Sequence, residues 1–172
     1  MINLTAVKSV EDIQAVATLA DEIWHQHYLS IIELEQIEYM LQTMQSPAAI
    51  TQQLTQGYQY FVIAKEAVPL GYISVRTESS SKTLHLSKFY IQQQLRRQGV
   101  GRLALGQLEN MAKQQGLEQI RLTVNKYNES AIAAYQKMGF VITDSVVNAI
   151  GGGFVMDDYE MCKYLLNSQT LP

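Results

Sequence analysis

A single cysteine, Cys162, stands in the chain, so no intrachain disulfide can form and the sequence fits a reducing compartment. No apolar run approaches the roughly 18 residues of a membrane span. The opening Met1 to Lys8 is too polar for a secretion signal, and the expected location is the cytoplasm. A large excess of charge is missing as well: 13 basic and 16 acidic residues leave a net charge of −3. That balance does not favour broad electrostatic binding to nucleic acid or to an acidic membrane. There is no internal repeat and no linker long enough to separate domains. With 172 residues and a hydrophobic share of 47%, the chain reads as one globular domain over 1–172 with a core of its own.

Periodicity supplies the elements. Ile2 to Val7 alternates like a strand. Ser9 is placed as an N-cap, with Asp12 three residues on as the capping-box acid. Ile13, Val16, Ala17, Leu19, Ala20, Ile23 and Trp24 then recur at helical spacing over 10–25. Glu33 to Thr43 is a second amphipathic run. Ser46-Pro47 pairs an N-cap with proline at the first helical position and opens a short helix ending near Gly57. Tyr58 to Lys65 and Leu70 to Thr77 are rich in aromatic and β-branched residues and read as strands, joined by a turn at Glu66 to Pro69. A polar loop, Glu78 to Lys82, leads to a strand at Leu84 to Ile91. Val100 to Gln115 is a helix stopped by Gly116, Gln119 to Val124 a strand, and Glu129 to Met138 a helix stopped by Gly139. Phe140 to Val147 and Phe154 to Leu165 are the last strands, with Gly151-Gly152-Gly153 between them; Asn167 to Pro172 reads as a loose tail. The order β, α, α, α, β, β, β, α, β, α, β, β predicts an α/β protein, a mixed sheet with helices on both faces.

The densest chemical signal is Arg96-Arg97-Gln98-Gly99-Val100-Gly101, set between a strand and a helix. Two glycines let backbone approach a ligand, and amides at a helix start attract anions. The two arginines would add charge where a phosphate sits. Gly99, Gly101 and Ala104 also fit a dinucleotide-binding glycine pattern, but there the strand runs almost directly into the first glycine. Here Gln92 to Gln98 intervene. No Lys-Ser or Lys-Thr follows, so the turn is not a P-loop.

A second block, Asn128, Ala131, Tyr135, Gly139 and Phe140, follows on the next predicted strand-to-helix unit. The two blocks together resemble the GNAT superfamily of N-acetyltransferases, over about residues 58–147. That resemblance implies a mostly antiparallel twisted sheet of about seven strands and acetyl-CoA as cosubstrate, with no metal. It implies that the backbone of Phe89, Tyr90 and Ile91 pairs with the pantetheine arm. The pyrophosphate loop would be Arg96, Arg97, Gln98, Gly99, Val100, Gly101 and Arg102, with Asn128 and Ala131 completing the cofactor site. Tyr135 falls at the family's position for the general acid that protonates the CoA thiolate, a role that suits a phenol facing a thiol. Asn128 also stands at a helix start, where it would serve as an N-cap.

Two stretches are candidates for the acceptor side: Trp24, His25 and Tyr28 near the end of the first helix, and Asp157, Asp158 and Tyr159 on the last strand. His25 and His27 are two apart and do not share a helical face, so they do not read as a metal pair. Asp157 and Asp158 face opposite sides of a strand, so at most one enters a given cleft. The segment from Ile150 to Met161 and the Ile23-to-Tyr28 stretch resemble PaiA-type polyamine acetyltransferases, which implies a small-molecule amine such as spermidine. A protein N-terminus or lysine is the alternative acceptor, and a non-catalytic acetyl-CoA-binding regulator the alternative class. The sheet edge at Val141 to Val147 and Phe154 to Tyr164 is where a homodimer would form.

Overall fold

The computed structural model describes residues 1–166; the expected loose tail, 167–172, lies outside them. Its elements follow the predicted order: β1 (Ile2–Ala6), α1 (Val10–Tyr28), α2 (Leu34–Met44), α3 (Pro47–Thr55), β2 (Gln59–Lys65), β3 (Val68–Glu78), β4 (Thr83–Ile91), α4 (Val100–Gln114), β5 (Gln119–Asn125), α5 (Glu129–Lys137), β6 (Val141–Gly151) and β7 (Phe154–Tyr164). The strands form one seven-stranded sheet in the order β1-β2-β3-β4-β5-β7-β6. The β4–β5 pair is parallel, and β1–β2, β2–β3, β5–β7 and β6–β7 are antiparallel. Two compact units divide the chain: Met1–Arg76 with Lys88–Gln107, and Thr77–Ser87 with the chain from Leu108 onward.

In the first unit the caps act as their sequences predict. The Asp12 amide donates to Ser9 Oγ (3.1 Å) and the Ser9 amide to Asp12 Oδ2 (2.9 Å), closing the capping box at the start of α1. The Ala49 amide donates to Ser46 Oγ at 3.2 Å, with Pro47 opening α3. Helix α1 continues three residues past the expected end because Trp24 and Tyr28, one turn apart, stack at 4.4 Å. The β2–β3 turn is tighter than expected. Glu66 and Ala67 alone form it, both left-handed (φ 51° and 65°), the signature of a two-residue hairpin turn. Pro69 therefore sits inside β3, opposite Ala64 at a bulge, where its missing N–H costs no regular ladder bond.

Strand β4 enters this unit at Lys88, and strand alternation sends its residues two ways. Tyr90 turns to Trp24 of α1 (5.5 Å between rings) and Tyr72 of β3 (5.3 Å). Lys88 turns to the α2–α3 corner, where its Nζ donates to the Met44 carbonyl (2.5 Å), the Tyr60 hydroxyl (2.5 Å) and Gln53 Oε1 (3.0 Å). Phe89 and Ile91 face the other way, towards the start of α4: a methyl at Gly101 would lie 3.1 Å from Ile91 Cδ1 and 3.7 Å from Phe89 Cζ. Lys88 is 7% exposed and bonded only to neutral groups. Burial pulls its ammonium down to about 7.

In the second unit, β4 pairs with β5 through residues 83–85 and 119–121. Strand β7 pairs with β5 on one side and β6 on the other, so the last hairpin folds back to place its second strand inward. Strand β6 runs to Gly151, four residues beyond the expected end, because Gly152 and Gly153 make a tight turn rather than a loose connection. Phe140 lies outside β6. Its amide donates to the Tyr135 carbonyl (3.0 Å) and that of Gly139 to the Gln136 carbonyl (3.1 Å), a Schellman closure of α5 with Gly139 left-handed at φ 96°.

A methyl group at Gly71 would lie 2.2 Å from the Tyr90 carbonyl oxygen, a backbone atom that cannot step aside. Gly71→Ala is expected to destabilise the fold by ~1–3 kcal/mol, measured as a fall in the urea midpoint. Lys88 makes a separate prediction. Between about pH 7 and its ordinary value of 10.5 the unfolded chain keeps a proton that the folded chain has released, so the Lys88 contribution to stability rises with pH across that window. The melting temperature of the wild type minus that of Lys88→Met should climb from pH 7 to pH 10; a flat difference would show that the lysine is not held neutral.

Candidate active site

The turn from β4 to α4 has the geometry of an anion cradle. Arg96 is extended, Arg97 is left-handed at φ 62° and Gly99 at φ 80°. A left-handed arginine is uncommon, and alternating backbone hands in consecutive residues aim their amides at one point. The first bond of α4 runs from the Leu103 amide to the Gly99 carbonyl at 3.0 Å. The amides of Val100, Gly101 and Arg102 therefore precede the helical ladder and stand at the positive end of the helix dipole. Gly99 supplies the left-handed conformation and Gly101 the room for β4.

Of the two arginines expected to bring charge to this cradle, Arg96 has two of its donors engaged within the chain. Its Nε donates to the Ile91 carbonyl (3.3 Å) and its Nη1 to His27 Nδ1 (2.8 Å), so the guanidinium is turned towards α1. Burial lowers its pKa, opposed by the nearby Tyr28.

The acceptor-side candidates of α1 separate. Trp24 (1% exposed) and Tyr28 (7%) are buried with Tyr90 and Tyr72 in one aromatic cluster. His25 belongs elsewhere. Its Nδ1 meets the Asp21 carbonyl at 2.8 Å, and it lines a cleft of about 360 Å³ with Asp21, Glu38, Gln42 and Gln45. Gln45 is anchored there by the Tyr72 hydroxyl, which donates to its Oε1 at 3.0 Å.

In the second unit, Asn128 occupies the N-cap position of α5, but its side chain does not cap. Instead Asn128 Oδ1 accepts from Ser130 Oγ at 3.4 Å. The chain reaches it through a turn in which Asn125 Oδ1 accepts from the Tyr127 amide (2.9 Å) and the Asn125 carbonyl from the Asn128 amide (3.0 Å). Ala131 and Tyr135 follow on α5, both half-buried. The Tyr135 ring meets that of Phe140 edge-on at 5.5 Å, the apolar contact that accompanies a Schellman closure. The Gly139-Phe140 pair thus closes the helix and orients the tyrosine.

The three candidates of β7 divide as alternation predicts. Asp157 pairs with Lys126 at 2.5 Å, and Lys126 also lies 5.5 Å over the Tyr159 ring. Asp158 is 6% exposed, opposite Asn125 of β5 and Val146 of β6, and its Oδ1 has no hydrogen-bond partner among the described residues. Burial, and then the charge of Asp157, push its carboxyl up to about 6. A buried carboxyl oxygen left without a donor is costly to fold around, and the nearby Lys126 offsets the raised pKa only in part.

Sequence reading does not reveal His27 and Lys88 as parts of this arrangement. His27 is 69 residues from its partner Arg96, and Lys88 is 44 from Met44, so no local pattern connects either pair.

The glycine-bearing, amide-lined helix start follows β4, and α4 leads into β5, the strand that pairs parallel to β4. Residues 28–161 match the family described as the acetyltransferase (GNAT) domain, and the chain belongs to the GNAT acetyltransferases. It is 22% identical over 154 residues to spermidine N(1)-acetyltransferase of Thermoplasma acidophilum, covering 87% of this chain and 92% of that protein. Among solved structures, the PaiA N-acetyltransferase of Thermoplasma acidophilum in complex with coenzyme A superposes with a TM-score of 0.80 at 21% identity, over 95% of this chain and 99% of that one. An Escherichia coli N-acetyltransferase for the alanine of a ribosomal protein gives 0.72 at 17% identity, over 100% and 99%.

Asp158→Asn tests whether the orphaned carboxyl is kept for chemistry. Its raised pKa means that the folded chain binds the proton more tightly between about pH 4 and 6, so the Asp158 contribution to stability falls as pH rises through that window. The asparagine variant should melt higher than wild type at pH 7.5 while losing activity. A variant that melts lower would mark Asp158 as a structural residue.

Proposed function

We propose that the chain acts as one acetyltransferase domain that moves the acetyl group of acetyl-CoA to a primary amine of a small polycation such as spermidine. The observation that carries this reading is the amide-lined cradle at 97–102, held open by the left-handed Arg97 and Gly99. Amides fixed in this way bind the pyrophosphate of CoA without rearrangement. The resemblance to the family assigns the backbone of Phe89, Tyr90 and Ile91 to the pantetheine arm, and Asn128 and Ala131 to the same cofactor. The PaiA relative crystallised with coenzyme A and the spermidine N(1)-acetyltransferase relative support the choice of cosubstrate and acceptor.

The chemistry follows from the groups present. Asp158 holds the incoming ammonium and takes one of its protons, which passes to water. The neutral amine attacks the thioester carbonyl, the carbon–nitrogen bond forms, and the tetrahedral intermediate expels the CoA thiolate. Tyr135 gives its proton to that sulfur and is reprotonated as the new amide loses its remaining extra proton. The products are the N-acetyl amine, CoA thiol and one proton. Exposed Val141, Ile142 and Val147 on β6 support self-association along that edge. Among the described residues no helix is long and apolar enough to cross a membrane.

Release of free thiol from acetyl-CoA, followed with spermidine, monoamines, amino acids and peptides, tests the reading. Spermidine should give the highest kcat/KM, and the same assay should show Tyr135→Phe losing about 10²-fold in kcat with little change in the KM for acetyl-CoA. Turnover with peptides alone would make the acceptor a protein. CoA binding without thiol release to any acceptor would make the chain a regulator.

A further inference from the structure

Arginine carries five N–H donors and no lone pair. The 2.8 Å contact between Arg96 Nη1 and His27 Nδ1 therefore requires the histidine to accept. His27 is then neutral, with its ring proton on Nε2. The ring is steadied by the edge of Tyr28 at 4.9 Å, and Tyr28 in turn stacks on Trp24. On the other side Arg96 holds the carbonyl of Ile91, the last residue of β4, at 3.3 Å. One guanidinium thus ties the end of β4 to the last turn of α1, and the next residue is the left-handed Arg97 that begins the cradle. That conformation is strained for a residue with a side chain, and it persists only if its neighbours are held in place.

We propose that His27 is the positioning residue of the pyrophosphate loop: by accepting from Arg96 it fixes the backbone that presents the amides of 97–102. It acts on the loop through Arg96. The proposal rests on the reading of that loop as the CoA site. It also makes the last turn of α1, one residue from Tyr28, a direct support of the cofactor end of the reaction.

The test compares His27→Ala with His27→Asn, whose Oδ1 can stand where Nδ1 stood and accept the same bond. CoA binding is measured by isothermal titration, and acetyl-CoA kinetics by thiol release. His27→Ala is expected to weaken CoA binding and raise the KM for acetyl-CoA by about tenfold, the scale of one charge-assisted bond, with kcat changed less than about twofold. His27→Asn should restore most of the affinity. Unchanged affinity in His27→Ala, or an Asn variant as weak as the Ala variant at equal melting temperature, overturns the role of His27 and leaves the CoA reading standing. A wild-type chain that binds no CoA overturns both.

Discussion

The face alternation of β4 between Lys88 and Ile91 is the constraint on which the first unit depends. Each of these four consecutive residues has a fixed partner. Lys88 and Tyr90 receive the helical cover of α1 to α3, and Phe89 and Ile91 receive the first turn of α4. A strand packed on both sides cannot slip by one residue without turning Lys88 and Tyr90 away from α1 to α3 and putting Phe89 and Ile91 in their place. Gly71 adds a second lock, because β3 comes so near the Tyr90 carbonyl that no side chain fits between them. The strand that leads to the anion cradle is therefore fixed in register and in depth before the cradle begins.

Glycines mark the points where backbone hand matters to chemistry. Gly99 lets α4 start with its amides free, and Gly139 ends α5 so that Phe140 can reach back to Tyr135. Both are helix-terminus devices, one at an N-terminus and one at a C-terminus. In each case the functional atoms stand close to the glycine in sequence. The proposed catalytic tyrosine is thus held by the device that closes its own helix.

Local signals are legible where one element decides the outcome. Ser9 with Asp12, Ser46 with Pro47, and Gly116 and Gly139 each mark a helix end correctly, because a cap involves residues only three or four apart. Expectation and structure diverge where a neighbour decides. Periodicity ends α1 three residues early, because stacking of Tyr28 on Trp24 is not a propensity. It ends β6 early as well, because pairing with β7 carries that strand to the glycine turn. Asn128 does stand at the start of α5 but bonds Ser130 instead of capping, and the Arg96 guanidinium is engaged by His27 of α1 and the Ile91 carbonyl.

Residue type and spacing suffice for the element order and for a strand, glycine turn and helix with the geometry of an anion cradle, and the Asn128-to-Phe140 block adds the resemblance to the GNAT acetyltransferases. All of these are short-range patterns, complete within a few turns of chain. Folding had to settle that Asp157 pairs with Lys126 while Asp158 is the buried one, that Lys88 is buried among neutral groups, and that His27 accepts from Arg96. Each depends on which side chains from distant parts of the chain meet: burial shifts the carboxyl of Asp158 and the ammonium of Lys88, and the contact with Arg96 sets the proton of the His27 imidazole.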